Sequence, residues 1–123
     1  MLTQQNKPCY YSTSLNKKEY KMKYTTQNVN INGISLRGYI TTDYDTLVKY
    51  FGEPSTGDEY KSDAEWDIEF DDGRIATVYN YKDGRNYCGA KGLPVDAITN
   101  WHIGGNTDSA PVLVHSIIND FEV

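Results

Sequence analysis

The sequence predicts an α+β domain, an antiparallel β-sheet built from hairpins with two helices packed on one face. Three observations predict it. Apolar and acidic residues alternate strictly from Glu65 to Asp71, Asn32-Gly33 and Asp72-Gly73 punctuate extended stretches, and two segments repeat apolar residues at helical spacing.

Residues 1–27 are polar and without period, rich in Lys, Asn, Gln, Ser and Thr. They are expected to be a disordered tail or a misread leader. Reverse translation of Lys18-Glu19 yields a ribosome-binding sequence, with Tyr20-Lys21 as the spacer before Met22. Residues 28–123 form the single domain. Val29-Asn-Ile31 and Ile34-Ser-Leu36 flank Asn32-Gly33, the pattern of a tight hairpin. Thr42 opens a capping box with Asp45, and Tyr44, Leu47, Val48 and Phe51 then define an amphipathic helix stopped by Gly52 and Pro54. Trp66, Ile68 and Phe70 mark a half-buried strand. A two-residue turn at Asp72-Gly73 would pair Phe70 with Ile75, Ile68 with Thr77 and Trp66 with Tyr79, placing Tyr79 and Tyr81 on the core side and Ala76, Val78 and Asn80 outside. A glycine-rich stretch, 82–93, leads through a helical turn at 94–99 to Trp101-His-Ile103, which Gly104-Gly105 ends. Asp108 is the expected N-cap of a last helix with Pro111 in its first turn. Its buried face is Ala110, Leu113, Val114, Ile117, Ile118 and Phe121.

At 123 residues the chain has room for one domain, and no apolar run approaches the roughly 18–20 residues that span a bilayer. No membrane is expected. The formal charge of −5 argues against nucleic acid as a partner, and two cysteines make neither a disulfide framework nor a zinc set. No metal, cofactor or catalytic residue is expected: Cys88, His102 and His115 sit in no motif that would make an enzyme.

Two features remain. Glu65, Asp67, Glu69 and Asp71 repeat about 6.8 Å apart along a strand, near the spacing of phosphates on one nucleic-acid strand, so they suit either a solvated face or a DNA-mimicking inhibitor. From Tyr79 to Lys91, cations alternate with aromatics and glycines, a composition suited to a phosphorylated nucleotide. There Arg85 and Lys82 would take a diphosphate, Tyr81 or Trp101 would stack on a base, and Asn86 and His102 would meet polar groups. Gly104 and Gly105 would cradle an anion before the last helix, near Arg37.

The segments 32–40, 47–54, 63–70, 75–84 and 101–105 together resemble a family of small accessory proteins of tailed phages and prophages, over about residues 29–121. Within that class they are most similar to the anti-Thoeris sponges. The resemblance implies an anti-defence protein in the cytoplasm of an infected bacterium. It would be a homo-oligomer that sequesters a cyclic ADP-ribose-type signal without cleaving it. The alternative is an anti-CRISPR or nuclease inhibitor that binds protein through the acidic strand face.

Overall fold

The computed structural model describes residues 23–119. Five antiparallel strands, β1 (Tyr24–Thr25), β2 (Ser35–Thr41), β3 (Glu65–Phe70), β4 (Ile75–Tyr79) and β5 (Asn100–Gly105), lie in the order β1-β3-β4-β5-β2. Helices α1 (Tyr44–Phe51) and α3 (Ala110–Ile118) pack on one face of this sheet and touch each other, giving the expected α+β architecture. The sheet takes in residues 24–25, upstream of the expected domain start at 28. Of the tail or leader expected for residues 1–27, residues 1–22 lie outside the described residues, as does Phe121. No helix among the described residues is long and apolar enough to cross a membrane.

α1 forms where expected, but its cap is one residue later than the sequence suggests. Asp43 is the N-cap and its Oδ1 accepts from Thr46 N–H at 2.8 Å; hydrogen bonding by the Thr46 side chain, and then by this N–H, lowers the carboxyl's pKa. Gly52, at φ +86, ends the helix by donating to Val48 O. Leu47 and Phe51 are buried, and Trp66 Nε1 donates to Gly52 O at 2.7 Å, tying the helix end to β3.

The β3–β4 hairpin corrects the expected register. Its loop has three residues: Gly73 N–H reaches Phe70 O and Phe70 N–H reaches Arg74 O, each at 2.9 Å, with Gly73 at φ +92 in the left-handed position this loop demands. Pairing therefore runs Glu69 to Ile75, Ile68 to Ala76, Asp67 to Thr77, Trp66 to Val78 and Glu65 to Tyr79. A shift of one residue turns all of β4 over. Ala76, Val78 and Asn80 now join Trp66, Ile68 and Phe70 in the core, while Tyr79 and Tyr81 leave the core side. Small residues belong inside β4 because α3 comes closest there: a Cβ on Gly105, the partner of Ala76, would lie 2.4 Å from the Ala110 Cβ.

Two further expectations change for related reasons. Asn32-Gly33 is a turn with Gly33 at φ +80, but residues 29–31 form no strand beside β2, which pairs instead with β5 as the edge of the sheet. Gly104-Gly105 continues β5 rather than ending it. β2 bulges between Leu36 and Gly38, and a Cβ on Gly38 would lie 2.8 Å from Pro111 Cγ, so glycines on both strands admit the first turn of α3. That helix is capped at Ser109 without a side-chain bond, since Asp108 points away to Arg37 Nη1 at 2.9 Å. The 82–93 stretch contains a short helix, α2 (Arg85–Cys88), continued by a tight turn at Gly89–Lys91; the expected turn near 95 is present at Val95–Ala97.

Candidate functional site

The face of the sheet opposite α1 and α3 carries an aromatic cluster centred on His102. Antiparallel pairing sets Tyr79 and Tyr39 on either side of it, and their ring centroids lie 5.5 and 5.0 Å from the imidazole. Tyr81 approaches it at 5.1 Å and 33°, close to a stacked geometry. Burial pushes the His102 pKa below its ordinary value, opposed by Asp83, so the ring is uncharged at neutral pH. Lys82 stands at the rim, its Nζ 5.2 Å from the Tyr81 centroid and 5.3 Å from that of Tyr87.

Beside this cluster two carboxyls share one environment. Glu65 lies across from Tyr79, and burial, then a hydrogen bond with Asp67, then that neighbour's charge raise its pKa to about 8. Asp67 Oδ1 is buried with no hydrogen-bond partner among the described residues, an environment that disfavours a second charge and so agrees with a protonated Glu65. Burial, followed by the Glu65 charge, also raises the Tyr79 hydroxyl pKa. The acidic strand is thus not a row of four free charges, which weakens its match to a phosphate backbone.

A stability test follows. Folded Glu65 holds its proton to about pH 8, whereas in the unfolded chain it releases it near 4.5. The folded state therefore binds the extra proton between those values, and this group's contribution is complete below the lower one and is lost as pH rises through the upper. Glu65→Gln, which mimics the protonated form, is expected to raise Tm relative to wild type at pH 8 and to leave it unchanged at pH 4. Comparison with the variant removes the opposite-signed contribution of His102. A Tm difference that does not grow with pH overturns the assignment.

The residues singled out in the sequence divide among three places. Tyr81, Lys82 and His102 meet on the open face. Arg85 and Asn86 instead line a groove of about 600 Å³ on the α1 side, with Tyr44, Thr56 and Val95. Asn86 is committed to the fold there: its Nδ2 donates to Ser62 O at 3.1 Å and its N–H to Asp63 Oδ2 at 3.2 Å. Trp101 is buried in the core against Trp66, with Nε1 on Thr42 O at 2.9 Å, so it is not available to a ligand at either place. Gly104 and Gly105 are buried within β5, and three residues separate them from Ser109, so they form no anion cradle at α3. Arg37 does reach Gly105, donating from Nε to its carbonyl at 2.9 Å, but as a tie between strand and helix cap. Cys88 is exposed and its thiol meets Lys82 O at 3.3 Å; His115 is exposed with Nε2 3.2 Å from Tyr39 O. No cluster suited to a metal ion occurs among the described residues.

Sequence reasoning missed Tyr39 and Asn80. Tyr39 carries no signal of its own, since nothing local shows that β2 would lie beside β5. Asn80 is fully buried and its amide makes four hydrogen bonds: Oδ1 accepts from the N–H groups of Asp63 (2.7 Å) and Ala64 (3.1 Å), while Nδ2 donates to Asp63 Oδ1 (2.9 Å) and Asp83 Oδ1 (3.0 Å). It anchors the loop that carries Lys82. The signal was present as a lone polar residue in a β-rich run, and it becomes readable only once the register puts it inside.

No protein-family model, curated protein or solved structure matches the chain.

Proposed function

We propose that this chain is a non-enzymatic binding protein that captures a small phosphorylated nucleotide on the open sheet face. The observation that carries it is the neutral His102 ringed by Tyr39, Tyr79 and Tyr81, with the Lys82 ammonium at the rim. Tyr39 and Tyr81 are 62% and 40% exposed, so each offers a ring to a base, and a cation one residue on suits the attached phosphate. Capture rather than turnover fits the contacts of His102, which are rings; among the described residues no nucleophile is hydrogen-bonded to it. The resemblance to phage anti-defence proteins names the ligand to try first, a cyclic ADP-ribose-type signal. It also extends the proposal to a homo-oligomer acting in the infected cell.

Native mass spectrometry of the chain with cyclic ADP-ribose, followed by heat release, tests this. Intact ligand recovered in proportion to protein supports the proposal; no retained mass, or a hydrolysed product, overturns it. Two variants locate the site. Tyr81→Ala is expected to weaken binding about tenfold or more through loss of one stacking ring. Arg85→Ala is expected to leave binding unchanged, because its groove opens on the α1 side. The reverse pattern would move the site to that groove.

A further inference from the structure

The aromatic surface does not stop at Lys82. Tyr87, on the far side of that ammonium, packs against Tyr60 with ring centroids 5.5 Å apart and planes tilted by 50°, and Lys61 Nζ lies 5.9 Å from the Tyr60 ring. Tyr60 and Tyr87 are 57% and 42% exposed. Rings and ammonium groups therefore alternate from Tyr39 through His102 and Tyr81 to Lys82, then through Tyr87 and Tyr60 to Lys61.

Two observations indicate that this surface is built rather than incidental. The first is backbone conformation: Lys82 sits at φ +63, a left-handed geometry unfavourable to a residue with a side chain, and it is held there by a 2.7 Å hydrogen bond from its N–H to Lys61 O. One bond thus fixes both lysines relative to each other. The second is charge. The nearest acids on the Lys61 loop are already engaged. Asp58 accepts from the N–H groups of Tyr60, Lys61 and Ser62, which lowers its pKa, and Glu59 accepts from Thr56 Oγ1 at 2.8 Å. Neither lysine forms an ion pair among the described residues.

Resting on the nucleotide-binding proposal, we infer that the site takes a short single-stranded oligonucleotide rather than one base. One base stacks in the His102 cluster, a second stacks on Tyr87 and Tyr60, the phosphate between them meets Lys82, and the next meets Lys61. A single strand is the partner that matches alternating rings and cations; the net charge of −5 counts against a duplex, which needs a broad basic face.

Fluorescence anisotropy on the full chain at low salt tests this, with labelled adenosine monophosphate and oligodeoxyadenylates of two and four bases. Affinity is expected to rise about tenfold from one base to two or more, and Tyr87→Ala to remove that gain while leaving the one-base affinity intact. Lys61→Ala is expected to flatten the salt dependence of the four-base complex. Equal affinity at every length overturns the oligonucleotide inference and leaves the nucleotide proposal standing. Absence of binding at every length overturns both. Lys82→Gly separates fold from function: glycine accepts φ +63 without strain, so Tm is expected to hold or rise while affinity for all lengths falls. Retained affinity in that variant overturns the role of Lys82.

Discussion

Asn80→Ala is expected to lower the free energy of unfolding by about 3 kcal/mol, and to loosen the binding surface in the same step. The substitution removes the side-chain acceptor of the Asp63 and Ala64 N–H groups, leaving these donors unpaired, each at a cost of about 1–3 kcal/mol. It also frees the Asp63 and Asp83 carboxylates that the amide N–H groups bridge. Asp83 follows Lys82 directly, so the loop loses its anchor at the residue next to the phosphate-binding candidate. Asn80→Asp is expected to be worse, because a third carboxylate would face the other two where two donors had been. Urea unfolding at constant m-value gives the stability change, and amide exchange at residues 63 and 64 gives its location. A loss under about 0.5 kcal/mol, or unchanged protection of those amides, would show that water replaces the asparagine amide without penalty.

Trp101→Ala carries the other large effect, about 3–5 kcal/mol, and it discriminates between two roles for one residue. The indole is buried, meets Trp66 edge-on at 5.4 Å and donates to Thr42 O, so it joins β5 to β3 and to the entry of α1. A domain this small has roughly 5–15 kcal/mol of net stability, and Tm is expected to fall by roughly 15 °C or more. Trp101→Phe keeps most of the volume and is expected to cost less than half as much. If Trp101→Ala unfolded at the wild-type temperature and failed only in ligand binding, the indole would have to face the ligand, contrary to its place in the core.

Much of this architecture is legible in the sequence wherever a pattern has one solution. Trp66, Ile68 and Phe70 alternate with acids and can face only one way. Tyr44, Leu47, Val48 and Phe51 share one side of a helix and end at a glycine. β4 is different, because Ile75-Ala-Thr-Val-Tyr79 offers an apolar stripe on either face, and only the loop geometry and the approach of α3 choose between them. Gly104-Gly105 misleads in the same way: local propensity ends a strand there, whereas tertiary packing requires the missing side chains. The candidate site was half visible. Tyr81, Lys82 and His102 do meet on one face of the sheet, but Tyr39 joins them from a strand whose neighbour is about sixty residues away in the chain. Arg85 and Asn86 follow Lys82 closely in sequence but open α2, and they line the groove on the α1 side.

The three-residue loop at 71–73 has a consequence for how this protein can change. Closing the same residues as a two-residue turn at Asp72-Gly73 would set Phe70 against Ile75, and β4 would be read out with its sides exchanged: Tyr79 and Tyr81 would become filler, and Asn80 would be stranded in solvent. Removing one codon and closing with that turn would instead keep Phe70 opposite Arg74 and every face in place. Substitutions in that loop leave the assignment of faces alone as long as its glycine survives. The turn that the left-handed glycine selects at this length therefore decides which tyrosines are surface and which are stuffing.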